Sequence, residues 1–211
     1  MDRQERISVF TDSLYKGNPK YLVELEKRAR DEFVPVIRQG TQSALRTFLE
    51  MKKPERILEV GAGIGFSALF MAEFSDAGIT TIELDPVRAE KARANFAEYD
   101  KEGRITLFEG DAMDVMKTLD EKFDFIFMDA AKGQYINFHS EVMRLLKSGG
   151  VLVSDNILQE GDILESHFAV ERRNRTIYKR MREYLFEITH SDELTTSVFS
   201  IGDGVALSVK R

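Results

Sequence analysis

The 211-residue sequence contains no cysteine. Disulfides, cysteine nucleophiles and thiolate zinc sites are excluded together, and a cytoplasmic setting suits such a chain. No apolar run approaches the roughly 20 residues that a membrane-spanning helix needs, so no membrane association is expected. The opening stretch, MDRQERISVF, is charged and lacks an apolar signal core, so export is not expected either. No internal repeat, low-complexity tract or Pro/Gly/Ser-rich linker interrupts the chain, and one domain is the simplest organisation. Positive charge is in deficit: the net charge is −6, which argues against general coating of nucleic acid but leaves room for a local basic patch. What is present is ample apolar material, 43% of residues, which excludes a disordered chain.

The apolar pattern changes once along the chain. The first part reads as helix. Asn18 can cap a segment whose first turn suits Pro19. Tyr21, Leu22, Leu25, Ala29 and Val36 keep near-helical spacing, and Pro35 should end or kink the element. A second helix is expected from Thr41 to about Met51. Short apolar runs then alternate with longer amphipathic segments. Strands are expected at 56–60, 79–84, 105–109, 123–128, 151–154, 195–200 and 205–209, with helices around 66–74, 86–99, 112–119 and 135–146. This alternation implies a mostly parallel sheet covered on both faces. The last two runs flank Gly202-Asp203-Gly204, a spacing too short for a parallel crossover, so the sheet should end in an antiparallel hairpin. The expected fold class is a doubly wound, Rossmann-like α/β domain, with residues 1–52 as a helical extension and 53–211 as the core.

After the first strand comes Glu59-Val60-Gly61-Ala62-Gly63-Ile64-Gly65-Phe66-Ser67. Glycines at a strand-to-helix turn let the backbone bend tightly and approach a ligand. Glu83 follows 20 residues beyond Gly63, where a carboxylate can accept both hydroxyls of an adenosine ribose. Gly110-Asp111-Ala112 follows the third strand and offers an acid for the adenine amino group. The dinucleotide fingerprint needs glycine where Phe66 stands. That residue and the terminal hairpin disfavour a nicotinamide oxidoreductase. The set resembles the class I methyltransferases, and the resemblance implies S-adenosylmethionine as cofactor and a seven-stranded sheet.

The fourth strand ends in Asp129-Ala130-Ala131-Lys132 and the fifth in Asp155-Asn156. Ligands of open α/β sheets bind outside the carboxyl ends of the strands, so neighbouring strands would bring Asp129, Asp155 and Asn156 together. Two carboxylates and an amide oxygen suit a hard cation such as Mg²⁺; the bland alternative is that Asp155-Asn156 only shapes a turn. These motifs resemble the cation-dependent O-methyltransferases, the family of catechol and caffeoyl-CoA methyltransferases. The resemblance implies Asp129, Asp155 and Asn156 as metal ligands and Lys132, with Asp129, in the catalytic set, the lysine as general base. It places Glu59, Gly61, Gly63, Ser67, Glu83, Asp111, Ala112 and Asp129 around the cofactor, with Ile37, in a Val-Pro-Val-Ile stretch, closing over it. It also implies a homodimer. Catechol-type members use one more acid beside the substrate, which the sequence alone does not locate.

One segment opposes the acidic background. ERRNRTIYKRMR, 171–182, carries a local charge of +5, so the remainder carries −11. On a helix, Arg172, Arg175, Lys179 and Arg182 form a stripe flanked by Arg173 and Arg180, with Ile177, Tyr178, Met181, Leu185 and Ile188 opposite. An amphipathic surface helix is the ordinary reading. A one-signed arc also suits phosphate contacts by Arg172, Arg173 and Arg175. Together with Lys132-Gly-Gln-Tyr135 and Ile201-Gly-Asp-Gly-Val-Ala206, it resembles a bacterial branch of the family that methylates 5-hydroxyuridine at the tRNA wobble position. That substrate's adjacent oxygens can chelate a cation as a catechol does. The leading expectation is therefore a tRNA substrate. The alternative is a small catechol-like or acyl-CoA-linked phenol, whose phosphates would also welcome arginines. A non-catalytic nucleoside- or RNA-binding module is disfavoured by the complete metal and lysine set.

Overall fold

The protein's structure, a computed structural model, describes residues 3–165 and 170–211. Three helices come first: α1 (Arg3–Ser13), α2 (Lys20–Asp31) and α3 (Gln39–Lys52). Strands and helices then alternate through β1 (Arg56–Val60), α4 (Phe66–Glu73), β2 (Gly78–Glu83), α5 (Pro86–Tyr99), β3 (Ile105–Glu109), α6 (Ala112–Thr118), β4 (Phe123–Met128), α7 (Tyr135–Leu145) and β5 (Leu146–Ser154). The chain finishes with α8 (Arg175–His190), β6 (Leu194–Phe199) and β7 (Val205–Lys210). The seven strands lie in the order β3-β2-β1-β4-β5-β7-β6. β1 to β5 are parallel, and β7 inserts antiparallel between β5 and β6. The doubly wound sheet and its terminal hairpin are as the sequence pattern implies. Among the described residues no helix is long and apolar enough to cross a membrane.

Strand alternation divides the core between the two faces of the sheet. Leu58, Val60, Ile126 and Met128 point to the side covered by α6, α7 and α8. Ile57, Ile79, Phe125 and Phe127 point to the side holding α4, α5, and the N-terminal α2 and α3. β4 is buried at every position, as a central strand covered on both faces must be.

Some expectations shift. Pro19, not Asn18, holds the cap position of α2, without a side-chain cap bond. Asn18 instead donates its amide to Gln42 Oε1 at 2.7 Å and accepts from the Tyr15 hydroxyl, tying the start of α2 to α3. The helix stops at Asp31, before Pro35. β5 begins at Leu146, earlier than the apolar run at Val151, because the Ser148-Gly149-Gly150 stretch is absorbed into the strand at a register irregularity opposite Phe123–Phe125. α1 carries too weak an apolar stripe to be expected; Ile7, Val9 and Phe10 on it are exposed. The basic segment is helical only from Arg175, since Arg172–Asn174 forms a 3-10 turn.

Candidate active site

Strand register places the chemistry. Val60 pairs with Ile82 on one side and Met128 on the other, and Met128 pairs with Ser154. The next residues, Gly61, Glu83, Asp129 and Asp155, therefore stand in a row at the carboxyl edge of the sheet. A cavity of about 870 Å³ opens there. Ile37, Gly61, Gly63, Ser67, Glu83, Asp111 and Ala112 line one part of it, and Asp129, Lys132, Asn156 and Asp203 another.

The glycine loop is shaped by close approach. Gly61 has φ 103°, and a Cβ there would lie 2.3 Å from the Asp129 carbonyl oxygen, so the loop and the β4 end can meet only without a side chain. The Gly63 amide donates to Glu83 Oε2 at 2.7 Å, and the Asp85 amide to Oε1 at 2.9 Å. Glu83 thus braces the loop, and its carboxylate keeps lone pairs for further donors. Asp111 caps α6, accepting from the Met113 amide at 2.9 Å. Ile37 is buried on the cavity wall, its carbonyl held by Gln42 Nε2 at 2.9 Å. Glu59, expected around the cofactor, lies one residue inside the end of β1. It is wholly buried beneath the loop and absent from the cavity wall. Hydrogen bonds from Ser67 and Thr81 favour its charge, but burial prevails and pushes its carboxyl up to about 7.

The two strand-end acids oppose one another. Burial, then repulsion from Asp155 and Glu59, pushes the Asp129 carboxyl well above the usual range. Burial raises Asp155 to about 6, with Asp203 adding to the rise and the Asn156 amide and Thr41 hydroxyl counteracting. Asn156 adopts φ 58° and donates its side-chain amide to Asp129 Oδ1 at 2.8 Å. Asp129 and Asn156 face the cavity; Asp155 lies beside them, 1% exposed, accepting from Thr41 Oγ1 at 3.3 Å. Among the described residues no three His, Cys, Asp or Glu side chains gather to hold an ion, so a cation would rely on the Asn156 amide oxygen, presented after a half-turn of the amide. Lys132 Nζ lies 3.0 Å from Asp203 Oδ2, and Asp203 is buried.

A family model described as O-methyltransferase matches residues 11–211. This chain belongs to the O-methyltransferase family. The S-adenosylmethionine-dependent enzyme is 32% identical to a catechol O-methyltransferase of Mycobacterium tuberculosis, covering 100% of this chain and 99% of the relative. It is 27% identical to a caffeoyl-CoA O-methyltransferase of Stellaria longipes, covering 93% of this chain and 86% of that one. Among solved structures, the S-adenosylhomocysteine-bound methyltransferase of Podospora anserina superposes with a TM-score of 0.88 at 25% identity, covering 100% of this chain and 97% of that one.

The basic segment of this O-methyltransferase serves its own fold in part. Arg175 Nε donates to the Val170 carbonyl at 3.1 Å, Arg180 to that of Gly133 at 3.2 Å and Arg182 to that of Ile163 at 3.1 Å. Arg173 pairs with Glu171 at 2.7 Å. None of Arg172, Arg173 and Arg175 lines the cavity. The expected continuous stripe is broken because the 3-10 turn gives Arg172 and Arg173 a different angular spacing from the α-helix that follows. A further acid, not singled out from the sequence, is Asp203, which lines the cavity and is brought by the hairpin against Lys132. Its one sequence signal is an acid held between two glycines, Gly202 and Gly204. Arg38, Gln134 and Asn137 complete the open side of the cavity.

Proposed function

We propose that this enzyme methylates a hydroxyl of a small phenolic substrate carrying a second oxygen alongside, catechol-like or acyl-CoA-linked, with the help of a divalent cation such as Mg²⁺. The observation that carries the reading is the meeting in one cavity of the glycine loop with Asp129 and Asn156, with Asp155 buried directly beside them. The donor set fits a hard cation: two carboxylates and an amide oxygen. Burial above all pushes both carboxyls up, with repulsion from Asp155 added at Asp129 and from Asp203 at Asp155, and a cation bound there would favour their charged forms. Bound there, a cation would lower the phenol's pKa and hold both oxygens. The cofactor supplies a sulfonium methyl for in-line attack.

The remaining work belongs to the chain. Glu83 and Asp111 would hold the ribose and adenine, with Ile37, Gly61, Gly63, Ser67 and Ala112 shaping the pocket around them. Lys132 Nζ is the atom that would receive the hydroxyl proton, and Asp203 keeps it aimed at the cavity. As an ammonium paired with Asp203, Nζ has no lone pair, so it must shed a proton before it can accept one. Methyl transfer from labelled S-adenosylmethionine to catechol tests the reading. Thorough chelation, or Asp129→Ala or Asp155→Ala, should lower turnover by roughly 10³-fold, several kcal/mol of transition-state stabilisation. Full activity after chelation would sink the cation.

A 5-hydroxyuridine in tRNA is the second reading, favoured by the exposed Arg172, Arg173 and Lys179. The relatives above are named for small phenolic or CoA-linked substrates, and Arg175, Arg180 and Arg182 bind the chain's own carbonyls. Both facts favour the small substrate.

A further inference from the structure

Tyr135 opens α7 and is fully buried. Its hydroxyl lies 3.0 Å from the carbonyl oxygen of Met128 and 3.1 Å from that of Asp155. One of these carbonyls immediately precedes Asp129; the other belongs to Asp155 itself. The Met128 carbonyl also receives the Asp155 backbone N–H at 3.0 Å, so the tyrosine adds a second tie across the same two strand ends. The Asp155 carbonyl stands one residue beyond the last register pairs, Met128–Ser154 and Ser154–Ala206.

The peptide joining Asp155 to Asn156 is held at both ends. Its carbonyl faces the Tyr135 hydroxyl, and its N–H donates to Asp155 Oδ1 at 2.9 Å. That grip matters because Asn156 follows in a left-handed conformation, φ 58°, which asparagine adopts more readily than most residues, so the direction of its side chain depends on the peptide before it. The orientation of this peptide sets where the Asn156 amide emerges, and the amide meets Asp129 across the gap. The tyrosine ring is itself fixed. It packs edge-on against Tyr184, with centroids 5.4 Å apart at 85°, and the Tyr184 hydroxyl bonds Ser154 Oγ at 2.6 Å.

We propose that Tyr135 is a positioning residue that sets the separation of Asp129 from the Asp155–Asn156 pair, and so tunes the enzyme's affinity for its divalent cation. The inference rests on the cation reading above. It distinguishes Tyr135 from an ordinary core tyrosine whose hydroxyl only finds a partner.

The test is a calorimetric titration of Mn²⁺ alone into wild type, Tyr135→Phe and Tyr184→Phe. Phenylalanine keeps each ring and its packing and removes one hydroxyl. A parallel titration with S-adenosylhomocysteine reports a folded cofactor site in each variant. Tyr135→Phe should weaken Mn²⁺ binding roughly 10- to 100-fold and leave S-adenosylhomocysteine affinity unchanged. Its turnover should fall at low Mn²⁺ and return close to the wild-type kcat as Mn²⁺ is raised. Tyr184→Phe, which alters the same core without touching either carbonyl, should bind Mn²⁺ as wild type does. Wild-type affinity in Tyr135→Phe, or an equal loss in Tyr184→Phe, overturns the inference. A wild type that takes up no Mn²⁺ overturns the cation reading itself, and this inference with it.

Discussion

Glu59 and Glu83 are both acids at the carboxyl edge of the sheet, yet their surroundings give them different tasks. Glu59 has no exposed surface, and its Oε1 has no hydrogen-bond partner among the described residues. Its carboxyl titrates near 7 in the fold, against an ordinary 4.5. Between those values the native protein keeps a proton that the unfolded chain has released, so stability falls as pH rises through that window and levels off above it. The gap corresponds to about 3 kcal/mol. Glu59→Gln cannot ionise and retains groups able to bond Thr81 and Ser67. Its melting temperature without cofactor should match the wild type near pH 5 and exceed it by several degrees at pH 8. A difference independent of pH would remove the ionisation argument. Glu83, in contrast, accepts two backbone amides and faces the cavity. Glu83→Ala removes a charged acceptor worth about 1.5–3 kcal/mol, so S-adenosylhomocysteine should bind roughly 10- to 150-fold more weakly by calorimetry. Unchanged affinity would mean that the ribose is held elsewhere.

Among elements, the basic segment shows how composition and position separate. Six cations within twelve residues look like a binding face. In the fold, α8 buries Tyr178, Met181, Tyr184 and Ile188 against the sheet, and three of its arginines reach back to carbonyls of neighbouring loops. Arg182 also lies over the Tyr178 ring at 5.5 Å. Arg182→Ala should therefore cost about 1 kcal/mol in stability, because it removes a charged donor and the packing of its stem. Replacing Arg172 and Arg173 together by alanine should change stability by no more than about 0.5 kcal/mol and leave turnover of a small phenol intact. If tRNA is the substrate, the same double variant should raise KM for tRNA and flatten the log–log salt dependence by about 0.7–0.9 for each phosphate that the arginines no longer neutralise. Steady-state assays of both substrates at several salt concentrations separate the two outcomes.

At the scale of the molecule, the N-terminal helices α2 and α3 are part of the core. α4 is apolar on all sides and buried from Phe66 to Ala72, which a helix on an open sheet face could not be. α2 supplies the missing cover: Leu22, Leu25 and Ala29 join the cluster that contains Phe66, Leu69 and Phe70. The segment after α2 then carries Pro35, Val36 and Ile37 onto the cavity wall. Cover and cavity wall are therefore expected to respond together. Leu25→Ala should lower stability by roughly 2–5 kcal/mol, the range for a buried leucine cavity. It should also weaken S-adenosylhomocysteine binding, although Leu25 is not on the cavity wall. Thermal melts and calorimetry on the same variant would show the two losses together; a stability loss with unaltered affinity would mean that the segment bearing Ile37 is held independently of α2.

The sequence alone determined the doubly wound sheet, the glycine loop, Glu83 and the strand-end acids. Those features are written in short-range order, in strand periodicity and in residues fixed by the turn that follows a strand. Helix α5 runs over the expected 86–99, where Asp85 caps it and Pro86 starts it. Only the tertiary structure decided the rest. Asp203 meets Lys132 from 71 positions away, Tyr135 reaches across two strand ends, and Glu59 turns out to lie under the loop instead of on the cavity wall. The same holds for Arg175, Arg180 and Arg182 of the basic segment, whose partners are carbonyls elsewhere in the chain. A side chain's type limits what it can bond, but its partner and its dielectric surroundings are set by which strands become neighbours, and that is a property of the folded sheet as a whole.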